Sequence, residues 1–335
     1  MLVYAIRRIL ATIPILLVVS FVVFGLASMS GNPLEPLLLR NPPPPESTIL
    51  NETNRLYMDQ PFLQRYWIWL TGIGGHGDVG LLQGKFGPSV DAAKDLGSEV
   101  GSRFLITVRL IGAAMILAIV LAVVAGVVSA IRQYSKLDYS LTFVGFLALS
   151  MPVFWIGSLI KEFGVFINDQ TGARIFYTIG ATSPDTRGFT AMERFTDVLG
   201  HLVLPTLTLM LVTFAALSRF QRASMLEVLN SDYVRLARGK GLRNRVVMRR
   251  HALRTALIPL TTVSLLTIAA TLDGVVLTET VFQWRGLGTF FADAVSRDDL
   301  YGVMAFVMLT GVIVVVFDLI ADLLYAALDP RIRLD

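Results

Sequence analysis

The sequence has no cysteine, which excludes a disulfide framework, a thiolate metal site and a cysteine nucleophile. It has only three histidines, His76, His201 and His251, far apart and without ligand spacing, so no metal site is expected. No G-x-x-x-x-G-K-[ST] sequence occurs: Gly84-Lys85 and Gly239-Lys240-Gly241 lack the rest of the phosphate cradle. A G-x-S-x-G elbow and an H-E-x-x-H pair are also missing, and no catalytic residue is assigned. Charge is scarce as well. Only 16% of the 335 residues are charged against 54% apolar, a balance that argues against an ordinary soluble domain.

What the chain does have is long unbroken apolar runs. A membrane-spanning helix needs about 20 mostly apolar residues at 1.5 Å rise each. Six stretches qualify: about Ile9–Met29, Phe104–Ile131, Leu141–Leu159 with an extension to Ile167, Val198–Ser218, Ala256–Val281 and Tyr301–Ala327. The first follows Arg7 and Arg8 and resembles a signal peptide, but its apolar stretch is longer than a cleaved one and no A-x-A site follows, so it is read as a retained helix.

The net charge of +4 invites a nucleic-acid partner, but the basic residues gather between the apolar runs, as retention on the cytoplasmic side produces. Arg7 and Arg8, Arg132 and Lys136, the segment 219–254, and Arg331 and Arg333 fall on one side if there are six crossings. Both termini are therefore expected in the cytoplasm. Residues 31–103 then form an external subdomain between the first helix, 1–30, and the transmembrane domain, 104–335, with Pro42–Pro45 extended and a helix near Pro61–Leu70. The stretch Ser183–Arg187 is expected outside too.

The most informative segment is Asn230–Pro259, NSDYVRLARGKGLRNRVVMRRHALRTALIP. Asn230, Ser231 and Asp232 suit an N-cap, Tyr233–Arg238 a short helix, and Gly239 with Gly241 an end through positive φ. A second basic helix from Leu242 would run into the fifth crossing. By pattern this is either a solvated positive loop or a cytoplasmic docking helix.

Here the chain resembles the permease subunits of binding-protein-dependent ABC importers, in their dipeptide and oligopeptide branch. SMLEVLNSDYVRLARGKGL followed by RHALRTALIPL resembles that branch's cytoplasmic signature loop: Ala237 and Gly241 match its second alanine and its glycine, while Arg235 and Leu236 stand where the general pattern has Glu and Ala. The opening RRILATIPILLVVSFVVFGL, the external DQPFLQRYWIWL, the turn SMPVFWIGSL, and TETVFQWRGLGTFFADAV and DLLYAALDPRIR extend the likeness over nearly the whole chain. It departs after the third helix, at Lys161-Glu162 and INDQTGARIFYT.

The resemblance implies an all-α integral membrane protein with six transmembrane helices of the type I ABC importer permease fold. It implies a second homologous permease, two cytoplasmic ATPase subunits holding ATP and Mg, an external solute-binding protein and a peptide substrate. Its site would be an ATPase-coupling helix containing Ser231, Asp232, Tyr233, Arg235, Leu236, Ala237, Gly241 and Leu242. A small residue at 237 would let that helix approach a cleft in the ATPase.

Four further residues are candidates for the translocation path. Asp273 is a carboxylate in the middle of the fifth helix, where a buried charge is expensive and functional by default, and Glu279 falls near that helix's external end, where the resemblance puts a gate. Phe154 and Trp155 follow Met151-Pro152, where the missing N–H permits a kink. Asp318 and Asp322 share a face of the sixth helix. The alternative is a proton-coupled secondary transporter titrating Asp273 and Asp318. A membrane anchor with a basic docking segment leaves the matched segments unexplained.

Overall fold

The computed structural model describes residues 2–328, apart from the side chains of residues 2–5, Ala269, Asp273 and 324–328. Arg331 and Arg333 of the topology argument, and the Asp273 side chain, lie outside the described residues.

Most of the described residues are helical. Helix α1 covers Leu2–Ser30 and is followed by α2 (Glu35–Leu38), α3 (Glu46–Arg55) and α4 (Phe62–Thr71). A two-residue hairpin then pairs β1 (Val79–Gly80) antiparallel with β2 (Lys85–Phe86). Next come α5 (Leu96–Ile131), α6 (Lys136–Ser150), α7 (Val153–Thr171), α8 (Ala191–Leu229) and α9 (Asp232–Gly239). A last group starts with α10 (Asn244–Val246), which continues through a π-helical stretch, Val247–Leu253, into α11 (Arg254–Phe282), and ends with α12 (Leu287–Ser296) and α13 (Leu300–Leu328).

Among the described residues, five helices are long and apolar enough to cross a membrane, and the bent pair α6 and α7 makes a sixth if it is one span. The third crossing was expected as one helix with a kink at Pro152. It is instead two helices meeting at 109°. Pro152 has no N–H to give, and the residue before a proline is pushed out of the helical region. Met151 accordingly sits at φ −94°, ψ 136°, and a new helix starts with Trp155 and Ile156 donating to the Pro152 carbonyl at 3.0 and 3.2 Å.

The chain divides into two compact units. One holds residues 2–107 and 285–315. Its core is aromatic: Phe24 of α1, Tyr57, Ile68 and Trp69 of α4, Leu96, Phe290 of α12, and Tyr301 and Met304 of α13 are all buried together. Pro61 precedes α4 in the extended conformation, and Gly72 ends it at φ 78° with its N–H on the Ile68 carbonyl at 2.8 Å, so the helix expected near Pro61–Leu70 is present.

Asp299 fastens this unit, accepting from Ser89 Oγ at 2.6 Å, Val90 N–H at 3.1 Å and Gly302 N–H at 3.0 Å. Tyr57 donates to Asp78 at 2.8 Å and accepts the His76 N–H at 2.7 Å, and its burial pushes the phenol up to about 12. The body that contains segment 31–103 is thus larger than that segment, because α1 and residues 285–315 supply part of its core.

The other unit holds residues 108–284 and 316–328 of the described chain. Its centre is the packing of α5, α8 and α11 through Ala118, Ala122, Met210, Phe214, Leu217 and Leu260. Small residues decide how near the helices come. A side chain at Gly126 would meet Gln221 at 2.8 Å and the Ser218 carbonyl at 2.9 Å, so α5 and α8 can touch there only with glycine.

Candidate functional site

The segment between α8 and α11 folds as the sequence indicates, with differences of detail. Ser231 takes the N-cap position of α9 at φ −71°, ψ 152°, but its hydroxyl donates backward to the Val228 carbonyl at 2.6 Å instead of accepting from α9. Gly239 stays helical, and the positive φ falls on Gly241 alone, at 75°. A side chain at Gly241 would meet no steric neighbour, so the strain of a non-glycine residue there is in the backbone, on the order of 1 kcal/mol.

Val234 and Ala237 are buried, and they join Ala130, Met225, Val247, Ala252 and Ala256 in one apolar cluster. The small residue at 237 therefore lets α9 approach the chain's own core, with its side chain turned inward. The outward face carries Asp232, Tyr233, Arg235, Leu236 and, past the turn, Leu242. Leu236 is 60% exposed. Asp232 and Arg235 face each other at 3.6 Å in full solvent, a pair of little energetic weight.

Next to this helix lies an ion pair that sequence reading missed. Arg222 of α8 donates from Nε and Nη2 to the two oxygens of Asp138, each at 2.9 Å, while Asp138 also takes the Tyr134 N–H at 2.9 Å and the Ser129 hydroxyl. Ser129 lies in the last turn of α5, Asp138 in the first turn of α6 and Arg222 two turns before the end of α8, so one buried carboxylate ties three helices together. Arg222 reads in the sequence as one more topology charge. The only local signal is Ser135-x-x-Asp138, an N-cap pattern realised with Asp138 N–H on Ser135 Oγ at 3.2 Å.

The four path candidates are dispersed in character. Phe154 and Trp155 lie on the first turn of α7, about half exposed, and Glu279 is fully buried near the end of α11. These elements touch: Gly157 comes against Val281 and Phe282, and the Lys161 amine donates to the Val281 carbonyl at 2.8 Å. A buried Glu279 does not share an open surface with the two aromatics. Asp318 and Asp322 stand four residues apart on α13.

Lys161, where the family likeness departs, lies inside α7, which runs on to Thr171, and its cation meets the carbonyl end of α11, where the helix dipole favours it. The departing segment after α7 is fastened as well. The Asn168 side-chain oxygen takes the N–H groups of Ile175 and Phe176 at 2.9 Å, Gly180 N–H donates to the Phe282 carbonyl at 2.9 Å, and Ser183 binds Asp197 through both hydroxyl and N–H.

Two comparisons place this arrangement among known proteins. Residues 102–334 match the family described as binding-protein-dependent transport system inner membrane component. The chain is 36% identical over 330 residues to the oligopeptide transport system permease protein OppB of Mycobacterium tuberculosis, covering 98% of each. It is 34% identical over 342 residues to the dipeptide permease DppB of Alkalihalophilus pseudofirmus, covering 99% of this chain and all of that one. Against the DppB of Escherichia coli it is 32% identical over 352 residues, covering 99% of each. Likeness over the full length to transport permeases does not favour the proton-coupled alternative. The chain belongs to the family of binding-protein-dependent transport system inner membrane components, in its dipeptide and oligopeptide permease branch.

Proposed function

We propose that this chain is one of two permease subunits that carry di- or oligopeptides across the cytoplasmic membrane by alternating access, driven by ATP hydrolysis on separate cytoplasmic subunits that hold ATP and Mg. A soluble solute-binding protein delivers the peptide from outside. The reading rests first on the permease relatives, and the observation that carries the coupling step is the build of α9. Val234 and Ala237 fix it to the ends of α8 and α11, while Tyr233 and Leu236 project outward on a segment that is otherwise basic. A helix held on one side, with Tyr233 and Leu236 presented among charges on the other, transmits a push from a partner's cleft to the helices behind it.

In this reading both termini and α9 face the cytoplasm, and the Asp138–Arg222 pair makes the ends of α5, α6 and α8 move as one piece. The test is Leu236→Asp in the assembled transporter. Membrane insertion should be unchanged, with loss of ATPase copurification and of peptide-stimulated hydrolysis. Transport at the parent's rate with Leu236→Asp would remove α9 from the coupling role.

A further inference from the structure

The segment after α1 is read from the sequence as an external subdomain, and the contacts of α4 set the depth of one of its helices. Phe62 stacks edge-on against Phe21 and Phe24, with ring centroids 5.5 and 5.9 Å apart, and lies 3.6 Å from the Cβ position of Gly25. Tyr66 packs on Phe21 and Phe24 and shares a 2.9 Å hydrogen bond with Ser20. These α1 residues belong to the apolar run Ile9–Met29. Phe24 lies about 9 Å and Ser20 about 15 Å below Ser30 at the helical rise. With the hydrocarbon ending near Met29, α4 is level with the acyl chains.

The outer face of α4 has the matching chemistry. Leu63 and Trp67, one turn apart, are 67% and 53% exposed, and Ile73 just beyond the helix is 65% exposed. On α1 the exposed stripe Val18, Val22 and Leu26 follows the α4 contact residues Leu17, Phe21 and Gly25 by one position each, about 100° round the helix, so the two apolar faces adjoin.

Three polar groups at this level are satisfied internally, as hydrocarbon requires. Tyr66 bonds Ser20, Trp69 Nε1 donates to the Phe86 carbonyl at 3.0 Å and Thr71 Oγ1 to the Trp67 carbonyl at 2.8 Å. The one cation, Arg65, turns away from that face: it lies over the Phe24 ring at 5.6 Å and lines a small cavity with Asp298 and Asp299.

We propose that α4 is embedded in the bilayer leaflet at the C-terminal end of α1, the outer leaflet in the topology above, with Leu63, Trp67 and Ile73 against lipid acyl chains. A water-soluble binding protein does not reach this depth. The helix lies beside α1 as an interfacial element and carries the rest of the segment, α3 and the hairpin, at the membrane surface.

The absence of cysteine makes the test direct. Leu63→Cys, Trp67→Cys and, as a control on exposed α3, Asn51→Cys are spin-labelled in the whole transporter, reconstituted in phosphatidylcholine and phosphatidylglycerol vesicles. Collision with oxygen should exceed collision with a water-soluble nickel chelate several-fold at 63 and 67, and the order should reverse at 51. Because Trp67→Cys could disturb folding, bromine-labelled lipid provides a second measurement: it should quench the parent's tryptophan fluorescence, and Trp67→Phe should lose a measurable share of that quenching. Chelate access at 63 and 67 would mean an aqueous face. Shielding from both reagents would mean a protein partner on it. Either result overturns the proposal.

Discussion

The two largest connections, residues 31–95 and 230–253, are built on opposite plans. The first brings its own large side chains. Tyr57, Ile68, Trp69 and Val79 are buried in it, and it shares a core with α1 and α12. The second has one aromatic, Tyr233, and it is exposed; its buried residues are Val234, Ala237, Val247 and Ala252, pressed against the ends of α5 and α8. A connection with large apolar groups becomes a body with a core, whereas one with small apolar groups and many cations becomes a surface fitting held by its neighbours. The difference teaches that length alone does not tell a folded segment from a presented one; the size of the buried side chains does.

The strongest way to break the comparison is Trp69→Ala. Its ring is fully buried against Phe24 and Tyr66 and its indole donates to Phe86, so truncation should cost about 3–5 kcal/mol of that unit's stability. Hydrogen exchange should show residues 55–90 losing protection while 232–253 keep theirs. Equal loss in both segments would mean that they do not fold separately.

Removing the clamp behind α9 comes next. Arg222→Ala leaves Asp138 buried without its main partner, at about 3 kcal/mol. A lower melting temperature of the purified complex should accompany faster exchange at 134–140 and 229–240. Residues 55–90 should not respond.

Ala237→Trp sharpens the description of the coupling segment. Because Ala237 faces the chain's own core, the substitution should overpack that cluster at about 1–3 kcal/mol and loosen α9 itself. The melting temperature of the isolated permease, without any ATPase present, should therefore fall. An unchanged isolated permease would put the side chain at 237 on the outer face.

The smallest effect is expected at Arg235→Ala, where the ion pair with Asp232 is fully exposed and contributes at most about 0.5 kcal/mol. Permease stability should stay within error of the parent, and high salt should not change that result. A large loss would mean that the outer face of α9 is part of the fold.

Much of the architecture is legible in residue order. The six apolar runs fall on helices, α4 appears after Pro61, and α9 starts after Ser231 and ends at a turn that needs Gly241. Each of these follows from a local rule: hydrocarbon length, proline's fixed φ, glycine's tolerance of positive φ. Less was legible where a rule has two outcomes. A proline in an apolar run permits a kink or a break, and Pro152 makes a 109° break. Serine at an N-cap can accept forward or donate backward, and Ser231 donates.

The sequence by itself determined which segments are apolar enough to cross a membrane, where short helices start and stop, and the permease family, because these are carried by composition and by neighbours within a few residues. Only tertiary structure decided that Asp138 and Arg222, 84 residues apart, share one bidentate pair, that Ala237 faces inward, that Lys161 meets the end of α11, and that α4 lies alongside the C-terminal half of α1. Each of these depends on which helix faces display the residues and how near small residues such as Gly126 let the helices come. Such distances arise between segments far apart in sequence and leave no mark on local pattern.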